Sequence, residues 1–103
     1  MTHLTLLIGA AAMAALLGQP AYAASEYTPL VAAPGAEETF VYCGSCHSVQ
    51  LVAQQGLDRD HWNELFEWMV EEQGMEPIEE PDRSLILDYL AKHYNEDRPN
   101  FPN

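Results

Sequence analysis

The sequence predicts a small all-α domain of three to four short helices around one site. Three observations carry that expectation. Apolar residues recur at helical spacing in the segments 58–73 and 81–94, the period of a one-sided buried helix. No stretch alternates apolar and polar residues as a half-buried strand does. The motif Cys43-Gly44-Ser45-Cys46-His47 lies between helical segments with no internal repeat or second core around it, which points to one layered domain rather than two.

A leader comes first. Residues 4–17 form an almost continuous apolar run, followed by Pro20 and by Ala21-Tyr22-Ala23, the small-residue pattern at which a signal peptidase cuts. Residues 1–23 are expected to be a cleaved signal peptide, which delivers the chain to the periplasm. A membrane anchor needs roughly 20 apolar residues, and this run is shorter and ends at a helix breaker. No Lys or Arg precedes it, only the α-amino group and His3.

Residues 24–35 hold two prolines and a glycine without any period, so an extended N-terminal arm is expected there. The domain proper is expected over residues 36–95. It opens with acidic Glu37 and Glu38 and then Phe40, Val41 and Cys43, a short helix leading into the cysteine motif. Residues 48–57 are expected to be a loop carrying Val49, Leu51 and Val52. Asp58 or Asp60 can cap the next helix, whose stripe is Trp62, Leu65, Phe66, Met69 and Val70, the i, i+3, i+4, i+7, i+8 set of one buried face. Gly74 stops it. A proline-bounded connection follows, and Pro81 suits the first turn of a last helix with Leu85, Ile86, Tyr89, Leu90 and His93 along one side. Residues 96–103 are expected to be an irregular tail.

Charge narrows the partners. The chain has 4 Lys+Arg against 16 Asp+Glu, a net charge of −12, and none of these residues lies in the leader. Such a surface repels phosphate backbones and anionic lipid, so neither nucleic acid nor, after cleavage, a membrane is expected as a partner; a protein with a basic docking surface is favoured. The mature chain of roughly 80 residues is of a size at which one core rarely supplies more than about 3–5 kcal/mol. A cofactor, metal or disulfide is the usual remedy, and the two cysteines are the place for it.

Cys-x-x-Cys-His admits three readings. Zinc wants four ligands, usually a second short-spaced Cys or His pair, but there is no third cysteine, and His61 and His93 stand apart on different helices. A redox dithiol wants the motif at the start of a helix after a strand, where amides lower the thiol pKa; here a helix precedes it. Covalent haem uses every position: Cys43 and Cys46 bond the porphyrin and His47 becomes the proximal iron ligand. One haem c per chain is the reading the sequence favours.

A distal thioether would give a closed, six-coordinate iron suited to electron transfer. Met69 lies on the apolar stripe with Trp62 and Phe66, and is the favoured ligand; Met75, in the loop after Gly74, is the alternative. The haem wall is expected from Leu51, Val52, Trp62, Leu65, Phe66 and Leu90, with Arg59 and Trp62 as a cation and an indole donor for the propionates.

These residues together resemble a class I c-type cytochrome and, more narrowly, the small monohaem cytochrome c subunit of bacterial sulfite dehydrogenase. The likeness runs over residues 26–94: the proline-containing arm, "CGSCHS", a tryptophan seven residues before a methionine with a glycine five further on (Trp62, Met69, Gly74), and "DYLAKHY" at residues 88–94. It implies the small cytochrome c fold, with Met69 as distal ligand. Met75 stands where that family suggests a small residue, and "EEQGMEPIEEP" is more acidic than it suggests.

The expected role is to carry single electrons from a dehydrogenase to another redox protein, with no catalytic residues of its own. One rival is a tightly bound haem subunit of a sulfite-dehydrogenase-like molybdoenzyme or quinoprotein dehydrogenase, wrapped by residues 25–35. Another is a haem sensor or enzyme with an open distal site.

Overall fold

A computed structural model describes residues 26–99 and 101, and the leader expected over residues 1–23 lies outside them. Among the described residues there is no strand, and four helices follow in order: α1 (Ala36–Cys43), α2 (Gln50–Ala53), α3 (Arg59–Gln73) and α4 (Asp82–His93). The fold is all-α. α4 is the central element, because both α1 and α3 pack against it.

α1 begins where expected, behind Gly35 with φ of 96°. A Cβ on Gly35 would meet Tyr89 Cβ at 2.7 Å and the Leu85 carbonyl at 2.9 Å, so the left-handed turn and the close approach of α1 to α4 both require glycine. Glu37 and Glu38 sit in the first turn, where the helix dipole favours negative charge. Ala36, Thr39 and Cys43 face inward.

α3 matches its expectation closely. Asp58 is the N-cap, its Oδ1 accepting the His61 backbone N–H at 2.8 Å, the hydrogen bond that stabilises a first turn. Trp62 and Phe66 are buried, with Leu65, Met69 and Val70 half-buried beside them. Gly74, with φ of 72°, ends the helix, and the Met75 N–H returns to the Met69 carbonyl at 3.1 Å.

α4 buries Ile86, Leu87, Tyr89 and Leu90, with Tyr94 just after its end. Leu85 and His93 are half-buried rather than central, and Leu87 joins the core instead. Pro81 stands one residue before the helix rather than inside its first turn. Glu80 serves that turn, its carboxylate accepting from the Ser84 N–H at 3.3 Å and the Ser84 hydroxyl at 2.9 Å.

Three segments depart from expectation. Residues 48–57 are not wholly loop: Gln50–Ala53 makes one helical turn, begun by the Ser48 hydroxyl accepting the Gln50 N–H at 3.2 Å. The arm, from Glu26 onward, is folded rather than extended. Leu30 is buried in the core, Tyr27 packs on Phe40 with ring centroids 5.8 Å apart, and Val31 is held by α4: its N–H donates to Tyr94 Oη at 2.9 Å and its carbonyl accepts from Tyr89 Oη at 2.6 Å. The tail is irregular but anchored, with the Arg98 guanidinium between the rings of Tyr94 and Phe101 at 5.2 and 5.0 Å.

Candidate functional site

α1 delivers Cys43 as its last residue, and the turn after it carries Cys46 and His47. The Ser45 hydroxyl donates to the Tyr42 carbonyl at 2.9 Å and closes that turn. Cys43 is buried and Cys46 exposed, and the two thiols are not joined. Burial pushes the Cys43 thiol up to about 11, so it stays protonated at neutral pH.

His47 Nδ1 lies 3.1 Å from the Ser48 carbonyl. A carbonyl only accepts, so the proton belongs on Nδ1, and Nε2 is left with its lone pair. Metal-binding histidines are usually oriented by just such a bond from the other ring nitrogen.

These groups open onto a cavity of about 570 Å³, within the roughly 300–1,000 Å³ typical of small-molecule and cofactor sites. One wall is Tyr42, Cys43, Cys46 and His47. Leu51, Val52, Gln55 and Leu57, from α2 and the loop after it, form a second. α3 supplies Trp62, Leu65, Phe66, Trp68, Met69 and Gln73, and Met75 completes the lining. The structure therefore brings together Cys43, Cys46, His47, Leu51, Val52, Trp62, Leu65, Phe66, Met69 and Met75, all named from sequence.

Two of the expected residues are elsewhere. Arg59 is on the surface in an ion pair with Asp88 of α4 at 2.9 Å, outside the cavity wall. Leu90 is completely buried in the core and also does not reach the cavity. Trp62 does line it, but its indole N–H already donates to the Tyr94 carbonyl at 3.1 Å. Neither half of the expected cation and indole pair is thus free for an acidic group in the cavity.

Five lining residues were not anticipated: Tyr42, Gln55, Leu57, Trp68 and Gln73. Gln73 continues the Leu65, Met69 row by another i+4 step, and Trp68 is i+3 from Leu65, so helical spacing could have found both. Leu57 and Gln55 sit in a loop, where no period marks which side faces in.

A larger cleft of about 1020 Å³ lies beyond α2, lined by Pro29, Val31, Gln50, Ala53, Gln54, Lys92, His93, Tyr94, Asn95, Asp97, Arg98 and Pro99. It holds no thiol and no thioether. His93 belongs to it, packed on Tyr89 with ring centroids 5.1 Å apart, and burial lowers its pKa, helped by Lys92. His61 is bound to Asp58 at 2.8 Å. Neither histidine faces the cysteines' cavity.

The donor set of that cavity is two thiols, one imidazole with Nε2 open and two thioethers, in apolar surroundings. Among the described residues no group of three or more His, Cys, Asp or Glu converges to hold a metal ion. Cys43 stands at the C-terminal end of α1, where the helix dipole opposes a thiolate, and its raised pKa disfavours the nucleophilic role of a redox dithiol. No helix among the described residues is long and apolar enough to cross a membrane. Compared with protein-family models, curated proteins and solved structures, the chain finds no match.

Proposed function

We propose that this chain is an exported monohaem c-type cytochrome that passes single electrons from a dehydrogenase to another redox protein. The observation that carries the reading is one cavity lined by Cys43, Cys46 and His47 from the motif, by Met69 of α3 and by Met75 just after that helix. The residues fit a haem c by their chemistry. Cys43 and Cys46 would bind it through thioethers, and His47 Nε2 and Met69, with Met75 as the alternative, would ligate the iron. Bound there, the haem supplies a one-electron iron couple whose potential a thioether ligand raises.

The chain's own part is to hold and to insulate. The Ser48 carbonyl fixes the His47 ring. Leu51, Val52, Leu65 and Phe66 give the cavity an apolar lining, and an apolar shell of this kind tunes a metal's potential. Two thioethers facing the cavity favour a closed coordination sphere over the open site of a sensor or haem enzyme. The arm bears on the remaining rival. Residues that would wrap a dehydrogenase are tied at Val31 to Tyr89 and Tyr94 of the same chain, which supports a free carrier over an arm-wrapped subunit of a sulfite-dehydrogenase-like enzyme.

The test is spectroscopic. The protein, produced with haem-attachment machinery, is expected to keep its haem under denaturing electrophoresis and to show the weak far-red sulfur-to-iron band when oxidised. Met69→Ala should abolish that band and Met75→Ala should leave it. Haem that is not covalently retained in the wild type would refute the reading; loss of the band in Met75→Ala alone would transfer the ligand to Met75.

A further inference from the structure

The chain has 16 Asp+Glu to serve 4 Lys+Arg, yet among the described residues only Arg59 of the four is in an ion pair, with Asp88. Arg83 donates to Asn63. The other two, Lys92 and Arg98, both line the cleft of about 1020 Å³ beyond α2, which shares no lining residue with the cysteines' cavity.

Arg98 is half-buried there. Its Nη2 donates to the carbonyls of Ala53 and Gln55, and its guanidinium lies against the rings of Tyr94 and Phe101, all neutral groups. Its Nε is buried without a hydrogen-bond partner. A part-buried cation with no counter-charge and a buried N–H with no acceptor both cost free energy that an anion would recover. Lys92 is exposed, and its ammonium makes no hydrogen bond among the described residues. Asp97 is the carboxylate of this lining, and it pairs with neither cation.

The rest of the cleft is largely apolar and held in place. Pro29, Val31, Ala53 and Pro99 line it. Val31 stays 48% exposed although its backbone is fixed at both polar atoms, by the hydroxyls of Tyr94 and Tyr89. Apolar walls with a few polar groups are the make-up of small-molecule sites.

We propose that this cleft binds a small organic acid, its carboxylate taken by Lys92 and Arg98 and its apolar body laid against Pro29, Val31, Ala53 and Pro99. The chain's charge of −12 selects an organic anion over an inorganic one. The overall field opposes both, but only the organic acid gains from removing apolar surface from water. The site does not depend on a haem in the other cavity.

Benzoate is the probe, with benzamide as its uncharged counterpart and sulfate as an anion without an apolar body. With the reduced, isotope-labelled protein, benzoate should give saturating amide shift changes at Val31, Ala53, Gln54, Lys92 and Asp97. Benzamide and sulfate should each bind about tenfold more weakly, one lacking the charge-assisted contact and the other the apolar one. Lys92→Gln should weaken benzoate about tenfold, and Lys92→Arg should recover most of the loss. Lys92 is exposed and ties nothing else down, so these variants keep the fold, which the unchanged shifts of α3 would show. Arg59→Gln removes the same charge away from the cleft and should bind benzoate as wild type does. Shifts that do not saturate, benzamide or sulfate binding as tightly as benzoate, or Lys92→Gln binding no more weakly than Arg59→Gln would overturn the proposal. Shifts confined to the surroundings of His47 and Met69 would overturn it too, by placing the acid in the cysteines' cavity.

Discussion

Exposed imidazoles in this chain differ by the company they keep. His47, which lines the cavity, spends Nδ1 on the Ser48 carbonyl. His61 binds Asp58 through Nδ1 at 2.8 Å, while the same carboxylate oxygen caps α3. The hydrogen bond and charge of Asp58 raise the His61 pKa above its ordinary 6.5, and the His61 backbone and side-chain bonds lower Asp58 below its ordinary 3.8. A raised histidine stabilises the fold fully below its unfolded value and loses that contribution as pH rises through its folded value; a lowered carboxylate loses its own as pH falls through its folded value. The pair is therefore at full strength between 3.8 and 6.5. Wild type should exceed His61→Gln in denaturation midpoint inside that window, with the gap closing as pH rises past 6.5. A gap that does not change with pH would mean that the pair is screened to nothing, as many exposed pairs are.

Among the elements, α2 is the one whose place depends on the rest of the chain. The main helix packing is α1 and α3 on α4, whereas α2 is held from outside: Arg98 Nη2 donates to the carbonyls of Ala53 at 2.8 Å and Gln55 at 3.1 Å. The other side of this turn, through Leu51 and Val52, is a cavity wall. Hydrogen bonds to a charged group contribute about 1.5–3 kcal/mol. Arg98→Ala should thus raise amide exchange at Ala53, Gln54 and Gln55 roughly 10- to 100-fold. Arg98→Lys should recover little, because an ammonium lacks the planar fork that spans two acceptors. Exchange unchanged in both variants would show that Val49 and Val52, buried beneath α2, suffice. This element also marks the limit of what sequence discloses. The bounds and buried stripe of α3 are legible, because fifteen residues give its period room to repeat. α2 has four residues, too few for any period. The arm was misread because what folds it, the hydroxyls of Tyr89 and Tyr94, acts across 58 and 63 positions. Arg59 lies next to the α3 stripe in sequence, and the competing attraction of Asp88 on α4 leaves no mark there.

For the molecule as a whole, the cavity and the core share a wall: Cys43, Val52, Trp62 and Phe66 belong to both. Trp62 and Phe66 are almost fully buried and belong to the core, and each also shows an edge to the cavity. The cysteine turn and α3 face each other across a space of about 570 Å³, which Met75 and the residues of α2 and its following loop also line. A large apolar group there would tie α1, α2 and α3 together where direct helix packing does not. In its absence, water must enter an apolar space, and a core near the lower size limit has to hold alone. Cys43→Ala combined with Cys46→Ala, which removes both attachment points, should therefore unfold over a broad range with its midpoint lowered by more than about 15 °C, since each 1 kcal/mol shifts a domain of this size by about 4–8 °C. Helicity should survive best in α4, because no residue of α4 lines the cavity. Circular dichroism with temperature, alongside amide exchange along α1 and α4, measures both. A sharp transition at the wild-type midpoint would mean that the four helices close without help, and the cavity would then be a binding site the fold can leave empty.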